Sequence, residues 1–379
     1  MIPDTLKYIV ISDIHLGHKR NPTTNIIKAL TQFFLGYEDR EDIRIIFLAG
    51  DVFDGLLDLS DDDVFDIVRW ILWLLRFCHH KNIKLRVLEG TPRHDRGQSK
   101  LFESVHAASN LSVDLKYIKT LHIEYMDDYD LHILYIPDEW NASTEKTFQE
   151  VKSCMTSLSI DKVDISIMHG MFGYQIPNNA KTVPKHSEID YLNITRYFIH
   201  IGHVHIFSVY ERIIANGSFD RIRHGEESPK GGVEVAIHKD GTGQYWFIEN
   251  KLAMIFLTLT IRNKDMDSVL KYLTRRLKNI PPQSHIRLRA SYDHPCMAGL
   301  DYLKTYFPTF QFTKMSLEDV VEEDYQLISD TIIDESIYIP ITLTRDNLKT
   351  LLFEDIQQNH PWSSHQWSLA EQEIQNVIS

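Results

Sequence analysis

Cysteine is scarce in this chain. Cys78, Cys154 and Cys296 are the only three, odd in number and far apart. They fit neither a disulfide framework nor a zinc ribbon, so a reducing, cytoplasmic setting is expected. Long unbroken apolar runs are also missing. The most apolar helix-like run, Val64 to Cys78, is interrupted by Asp66, Arg69 and Arg76, which share a helical face with Trp73. That is the pattern of an amphipathic covering helix, and no membrane span is expected. No basic flank precedes an apolar core at the N-terminus, so no signal peptide is expected either. Positive charge is in deficit: 40 Lys and Arg stand against 53 Asp and Glu. This excludes a general basic coat for nucleic acid but leaves room for a local groove. The chain lacks a G-x-x-x-x-G-K-[ST] loop, so any ATP dependence must come from a partner. Repeats and low-complexity tracts are absent. What remains is 379 residues, 43% hydrophobic and 25% charged. That is enough for a full core in one large or two ordinary domains.

The stretch that organises the chain is Tyr8-Ile9-Val10-Ile11-Ser12-Asp13-Ile14-His15. Its four leading apolar residues read as a strand buried on both faces. Side chains at i and i+2 of an extended segment point the same way. Asp13 and His15 are therefore expected to leave the strand end aimed at one point. Further along, strands are expected at Ile43–Leu48, Ile83–Leu88, Leu131–Ile136, Val163–Met168 and Tyr197–Ile201, with helices at Asn25–Leu35 and Val64–Cys78. Strands separated by helices indicate a layered α/β domain. From Phe207 to Glu249 the pattern shifts to short strands with turns at Asn216-Gly217 and Asp240-Gly241-Thr242-Gly243. That suggests a mostly antiparallel second sheet.

Five strand ends carry the chemistry: Asp13 and His15, Asp51 and Asp54, His94 and Asp95, His169, and His203 with His205. Each has an ordinary reading alone. An aspartate after glycine shapes turns, and the 19 histidines must lie somewhere. Together they differ, because every polar group falls just after an apolar strand. Carboxylates and imidazoles gathered from several strand ends suit Mn, Fe or Zn. Two ions about 3.5–4 Å apart activate water and stabilise the entering and leaving oxygens at phosphorus.

Asp13-x-His15, Gly50-Asp51-x-x-Asp54, the His94-Asp95 loop, His169 and Gly202-His203-x-His205 resemble the five motifs of calcineurin-like metallophosphoesterases. A further stretch narrows the resemblance. Asn216-Gly217-Ser218-Phe219-Asp220-Arg221, then Gly225-Glu226-Glu227 and Lys230-Gly231-Gly232-Val233, is similar to the segment after the last histidine motif of SbcD-type DNA nucleases. These are bacterial and phage-encoded relatives of the meiotic recombination eleven nuclease. The resemblance covers roughly residues 8–250 and continues beyond by layout alone.

The resemblance implies an α/β fold, a layered metallophosphoesterase sandwich of two sheets flanked by helices. A nuclease domain would span residues 1–250, a smaller α+β capping domain 251–343, and a helical tail 344–379. Asp13, His15 and His205 would bind one ion, His169 and His203 the other, and Asp51 would bridge. The ions would be Mn²⁺. His94 would act as general acid or stabilise the phosphate as the leaving 3′ oxygen departs. Asp54 stands where some relatives have a second catalytic histidine. The implied function is a DNA exonuclease on duplex ends and endonuclease on single strands. It would work in DNA repair and recombination with an SbcC-type ATPase, as a homodimer within a heterotetramer. The setting would be the nucleoid, or host cytoplasm if phage-encoded. Two alternatives stand beside it: a metallophosphoesterase acting on nucleotides or phosphoproteins, and a scaffold on a decayed site.

One departure matters. The family usually reads Gly-Asn-His-Asp, with the asparagine ligating the second ion. Here Gly90-Thr91-Pro92-Arg93-His94-Asp95 has two extra residues and no asparagine. Thr91 can offer only a hydroxyl. Arg93 cannot ligate a cation but can hold a substrate phosphate. The second ion is therefore expected to bind weakly or to be completed by water.

After Glu249 a smaller domain is expected, with strands at Leu252–Ile261 and Ser284–Ala290 around a helix at Met266–Lys278. Eight Lys and Arg lie between Arg262 and Arg289 against Asp265 and Asp267 alone, and eight acidic residues lie between Glu318 and Glu335. Such asymmetry fits a DNA-facing patch beside a partner-facing one, or two ordinary solvated faces. In the tail, Thr344 can cap a helix carrying Leu348, Leu351, Leu352 and Ile356 on one face. Ser368 and Glu371 form a capping-box pattern before a second helix. Those faces either fold back on the chain or dock onto the ATPase.

Overall fold

The computed structural model describes residues 5–57, 62–176, 184–262 and 265–317. The expected acidic run beyond Glu318 and the tail from residue 344 lie outside these residues. In chain order the first elements are β1 (Thr5–Ile11), α1 (Thr23–Leu35), β2 (Ile43–Ala49), α2 (Asp62–Lys81), β3 (Lys84–Leu88), the one-turn α3 (Pro92–Asp95), α4 (Leu101–Ser109) and β4 (Leu115–Ile118). Next come β5 (His122–Met126), β6 (Leu131–Ile136), α5 (Thr144–Ser157), β7 (Ile165–Gly170), α6 (Glu188–Ile194), β8 (Ile199–His203), β9 (Ser208–Tyr210) and β10 (Ile213–Ala215). The remainder is β11 (Gly231–His238), β12 (Gly243–Glu249), β13 (Phe256–Thr260), α7 (Met266–Leu277), β14 (His285–Ala290), α8 (Pro295–Ala298), α9 (Leu300–Tyr306) and β15 (Gln311–Ser316).

These elements form a layered α/β sandwich. One six-stranded sheet has the order β12-β11-β1-β2-β3-β4, and the other β5-β6-β7-β8-β10-β9. Alternation along β1 explains the layering. Ile9 and Ile11 face outward, into a core with Ile26, Leu30 and Phe34 of α1 and Trp70, Ile71 and Leu74 of α2. Tyr8 and Val10 face inward, into a core between the sheets with Phe47, Ile133, Tyr135, Ile165 and Ile167. The far face of the second sheet buries Leu134, Met168, Ile199 and Ile201 under Val151, Met155 and Tyr191 of its helices. β1 is thus buried on both faces, as its four-residue apolar run implies.

Two polar links cross the apolar space between the sheets. Arg86 of β3 makes a bidentate pair with Glu124 of β5, at 2.9 and 2.8 Å, and Tyr135 donates to the same carboxylate at 2.9 Å. Arg86 and Glu124 are both buried. Each charge has a further partner, Asp114 for Arg86 and Lys116 for Glu124, so the link is part of a four-residue network. The second link runs from the Tyr8 hydroxyl to His200 Nε2 at 3.2 Å and from His200 Nδ1 to Asn216 Oδ1 at 3.0 Å.

The stretch from Phe207 to Glu249 departs from expectation. Its strands do not form a sheet of their own. β9 and β10 extend the second sheet, where β10 runs parallel to β8 and antiparallel to β9. β11 and β12 cross to the first sheet as an antiparallel hairpin against β1. A turn signal reports that a pair is antiparallel but not which edge receives it. Residues 90–95 also differ from the expected loop. Pro92 sits at the first helical position, where its fixed φ favours a helical turn, and α3 results.

Beyond Glu249, β13, β14 and β15 pair in parallel as a small sheet. Leu259, Ile286, Leu288 and Phe312 pack there against Val269, Leu273 and Leu277 of α7 and Leu303 of α9. Cys78 and Cys296 are buried free thiols, and Cys154 is a half-buried one. Among the described residues no helix is long and apolar enough to cross a membrane.

Candidate metal centre

Asp13 and His15 reach the site differently from the extended geometry expected of D-x-H. β1 ends at Ile11, and both residues adopt left-handed backbone, with φ of 52° and 56°. Asp51 (φ 50°) and His203 (φ 97°) do the same. Such conformations cost of order 1–3 kcal/mol each and persist where surrounding bonds fix them. Here the turns after β1 and β2 zip together. Asp13 N donates to Gly50 O at 3.1 Å, Ile14 N to Asp51 O at 2.8 Å, and Leu16 N to Val52 O at 2.9 Å. The convergence of Asp13, His15 and Asp51 is thus a product of turn geometry. His169 and His203 are also not beyond their strands: each belongs to the closing residues of β7 or β8. Parallel register sets His169 beside Gly202 and Gly170 beside His203. Gly202 allows this, since a Cβ there would lie 2.7 Å from both Ala49 O and His169 Nδ1. Gly50 has φ +86°, and a Cβ there would collide with the His169 ring.

Eight of the nine motif residues fall into three groups at this end of the sheets. Asp13, His15 and His205 form one group whose ligand atoms all lie within 4.8 Å of one another. Asp51, His169 and His203 form a second group on the same criterion, and His15, Asp54 and His94 a third. Asp13 also reaches the second group: its Oδ1 is 3.9 Å from His169 Nε2, which lies 3.2 Å from Asp51 Oδ2 within that group. His203 N also donates to both Asp13 oxygens, at 2.9 and 3.1 Å. His94 Nδ1 lies 3.3 Å from Asp54 Oδ1, at the more open edge of the site. Arg93 is half-buried beside it on α3 and belongs to none of the groups.

Hydrogen bonds at the outer ring nitrogens fix how the imidazoles face. His15 Nδ1 bonds Asp54 at 3.2 Å, His205 Nδ1 bonds Glu226 at 2.7 Å, and His169 Nδ1 bonds Ala49 O at 2.8 Å. Donation from Nδ1 leaves the lone pair on Nε2. The Nε2 atoms of His15 and His205 then meet at 3.0 Å. Nε2 of His169 is buried with no hydrogen-bond partner among the described residues, facing the Asp51 carboxylate. Lone pairs aimed at each other and at carboxylates repel unless a proton or a metal cation lies among them. The donor set, imidazole nitrogens mixed with carboxylate oxygens, suits divalent transition ions over Mg²⁺.

The electrostatics agree. Burial alone would lower the His15 and His169 pKa values, but the surrounding aspartates raise both, His169 well above the ordinary range. Burial alone would raise Asp54, but hydrogen bonds from His15 and His94 hold it well below the usual carboxylate range. At His205 burial outweighs the carboxylates and lowers the pKa, while the field that holds protons on His15 and His169 also attracts a metal cation. Asp95 plays a different part. Its carboxylate accepts from the N–H groups of Asp51, Phe53 and Gly90, at 3.1, 2.9 and 2.7 Å. Burial, then the Asp51 charge, pushes its pKa up to about 8. Asp95 is the peg on which two ligand turns hang.

Two residues escaped the sequence reading. Asp138 approaches the second group, with Oδ2 3.4 Å from His203 Nδ1. The altered loop meets it there. Thr91 donates its N–H to Asp51 Oδ1 at 2.6 Å, and its hydroxyl lies 3.1 Å from both Asp51 Oδ2 and Asp138 Oδ2. Thr91 and Asp138 therefore meet beside the second group, with the Thr91 hydroxyl 3.3 Å from His203 Nδ1. Asp138 stands two residues beyond the end of β6, outside every motif of the sequence. Glu226 appeared in the sequence only within a motif. Its Oε2 also accepts from Ile222 N at 3.1 Å and lies 3.6 Å from buried Lys230 Nζ. Lys230 in turn donates to His205 O at 2.6 Å. Ser12 Oγ donates to Gly217 O at 3.1 Å, and Phe219 N bonds Ser12 O at 3.2 Å. The 216–230 segment thus braces the site from below.

No family model and no curated protein sequence matches the chain. Among solved structures it is similar to GAP50, the anchor in the inner membrane complex of Plasmodium, at 14% identity and a TM-score of 0.40, covering 66% of this chain and 86% of that one. It is also similar to TT1561 of Thermus thermophilus, at 10% identity and a TM-score of 0.37, covering 64% of this chain and 99% of that one.

Proposed function

We propose that the chain is a two-metal phosphodiesterase that cuts DNA. The observation that supports this most is the arrangement of His15, His205 and His169, each locked at Nδ1 with Nε2 turned onto a neighbouring nitrogen or carboxylate. Divalent ions held by the two ligand groups would supply Lewis acidity to the phosphoryl oxygens. Asp51 would bridge the two ions, as the motif resemblance implies, and Asp13 reaches towards both groups. His94, aligned by Asp54, would hand a proton to the leaving 3′ oxygen. Arg93 beside it supplies a cation for the scissile or flanking phosphate.

DNA as substrate and Mn²⁺ as the ion are supported by the motif resemblance, which reaches through the 216–232 segment braced beneath the site. The same resemblance supports an SbcC-type ATPase as partner, with the tail as its docking segment and a dimeric assembly. Deleting residues 344–379 then abolishes co-purification with that ATPase. It leaves Mn²⁺-dependent cutting of single strands nearly intact.

The direct test incubates purified protein with labelled linear duplex, single-stranded DNA and a chromogenic phosphodiester, in Mn²⁺ or in Mg²⁺. Cleavage of DNA that is faster in Mn²⁺ is the expected result. Turnover of the chromogenic ester or of nucleotides alone would move the assignment to a small-substrate phosphoesterase. Equal activity in Mg²⁺ would contradict the mixed nitrogen and oxygen ligand set.

A further inference from the structure

A cavity of about 860 Å³ opens beside the small β13–β14–β15 sheet. It falls in the range of small-molecule sites, about 300–1,000 Å³. None of the candidate metal ligands lines it. Arg20, Arg287, Lys304 and Lys314 do, together with His224 and His285. Among the described residues that line it, none is acidic. That is unexpected by chance in a chain with 53 acidic and 40 basic residues. Of these cations Lys304 also pairs with Asp301 at 3.3 Å, and the positive charge collected around one hollow attracts an anion.

The inner wall is built rather than incidental. Phe256 stacks on His285, with ring centroids 4.4 Å apart and an interplanar angle of 5°. His285 Nε2 bonds Arg20 O at 2.6 Å, which fixes the start of the Arg20 side chain at the rim. His224 packs edge-on against Phe256 at 5.3 Å. It is 7% exposed, and its Nε2 has no hydrogen-bond partner among the described residues. Burial, then the nearby Arg287 charge, pushes its pKa down to about 3. The ring is therefore neutral, and Thr258 Oγ1 lies 3.4 Å from its Nδ1. With that hydroxyl donating to Nδ1, Nε2–H remains a donor for a ligand. Phe310, Phe312 and Met315 supply an apolar side to the same hollow. At the mouth, Lys314 donates to Met297 O at 2.8 Å, keeping further ammonium protons for a ligand.

We propose that this cavity is a second binding site, distinct from the metal centre, for a phosphate monoester carried on an apolar or aromatic body, such as a nucleotide. The phosphate is held by Arg287, Lys304, Lys314 and Arg20, and the body lies against the phenylalanine side. The monoester has two sources with the same chemistry: a free nucleotide, or the 5′-phosphorylated end of a strand.

The test uses the full-length chain in EDTA, so that the metal centre contributes nothing and cleavage plays no part. Calorimetric titration is run with inorganic phosphate, dAMP, and a short oligonucleotide bearing either a 5′-phosphate or a 5′-hydroxyl. We expect dAMP to bind more tightly than inorganic phosphate and to weaken with added salt. Arg287→Gln and Lys314→Gln should each weaken dAMP about tenfold, the loss expected for one charge-assisted contact. Lys304→Gln lies on an exposed position and serves as a third variant should Arg287→Gln unfold, which circular dichroism would reveal. Binding of dAMP and of the 5′-phosphorylated strand points to both sources; binding of the phosphorylated strand alone points to the strand end. Equal binding of the 5′-hydroxyl strand overturns the monoester specificity. The proposal is also overturned if no phosphate probe binds, or if Lys314→Gln and Lys304→Gln both leave dAMP affinity unchanged.

Discussion

Glu226 shows at the scale of one residue how the site is made. It belongs to none of the candidate ligand groups, yet its carboxylate 2.7 Å from His205 Nδ1 decides which nitrogen of that ring faces the site. Burial would raise its pKa, but His205, Lys230 and Arg223 hold it well below the usual range, so it stays charged. Glu226→Gln keeps the shape and removes the charge. Mn²⁺ affinity should fall roughly 10–100-fold, as for other lost orienting partners, while the melting curve stays close to wild type. Unchanged affinity in a metal titration would show that His205 is oriented by other means. The motif residues themselves were legible in the sequence because their type and spacing survive without coordinates. Asp138 and Glu226 were not, because each acts through a partner far along the chain: His203 for Asp138 and His205 for Glu226. The left-handed turns at Asp13, His15 and Asp51 were invisible for a related reason. They are imposed by a neighbouring loop, not by local propensity.

Among the elements, the long buried strands and amphipathic helices were readable, and the short or polar ones were not. β1, β2, β3, β6 and α7 fall within a few residues of expectation because their apolar periods are strong. α5 has only Thr147, Val151 and Met155 buried along 14 residues, too sparse a stripe to stand out. β4 is a four-residue edge strand with one buried position. β8 carries a consequence that its sequence hides. His200 is fully buried between Tyr8 and Asn216, and burial pushes its pKa down to about 4 from the ordinary 6.5. A depressed histidine contributes stability that is complete above pH 6.5 and is lost as pH falls towards 4. Between pH 7 and pH 5 the wild type should lose about 2 kcal/mol from this ring alone. His200→Gln should be less stable at pH 7, yet the gap to wild type should close by about that amount at pH 5. Urea unfolding at the two pH values measures it. Parallel losses in both proteins would place the acid sensitivity elsewhere.

At the scale of the whole molecule, the chain divides its charge. The net balance is acidic, yet the cavity beside the small sheet is cationic, and the metal centre gathers carboxylates where only a cation relieves them. The basic stretch from Arg262 to Arg289 was legible in the sequence and supplies Arg287 to the cavity, whereas Arg20, Lys304 and Lys314 join it only in the fold. The layered sandwich is what brings the strand ends of both sheets to one place, and the account stands or falls on what binds there. The most direct measurement is anomalous scattering from crystals grown in Mn²⁺, for wild type, Asp51→Ala and His94→Ala. The account predicts two ions in wild type, one among Asp13, His15 and His205 and one among Asp51, His169 and His203. It predicts no bound ion in Asp51→Ala. In His94→Ala both ions should remain, with DNA turnover lower by about 10²–10⁴-fold, as for a lost general acid. A single ion in the wild type, or an ion missing from His94→Ala, would contradict it.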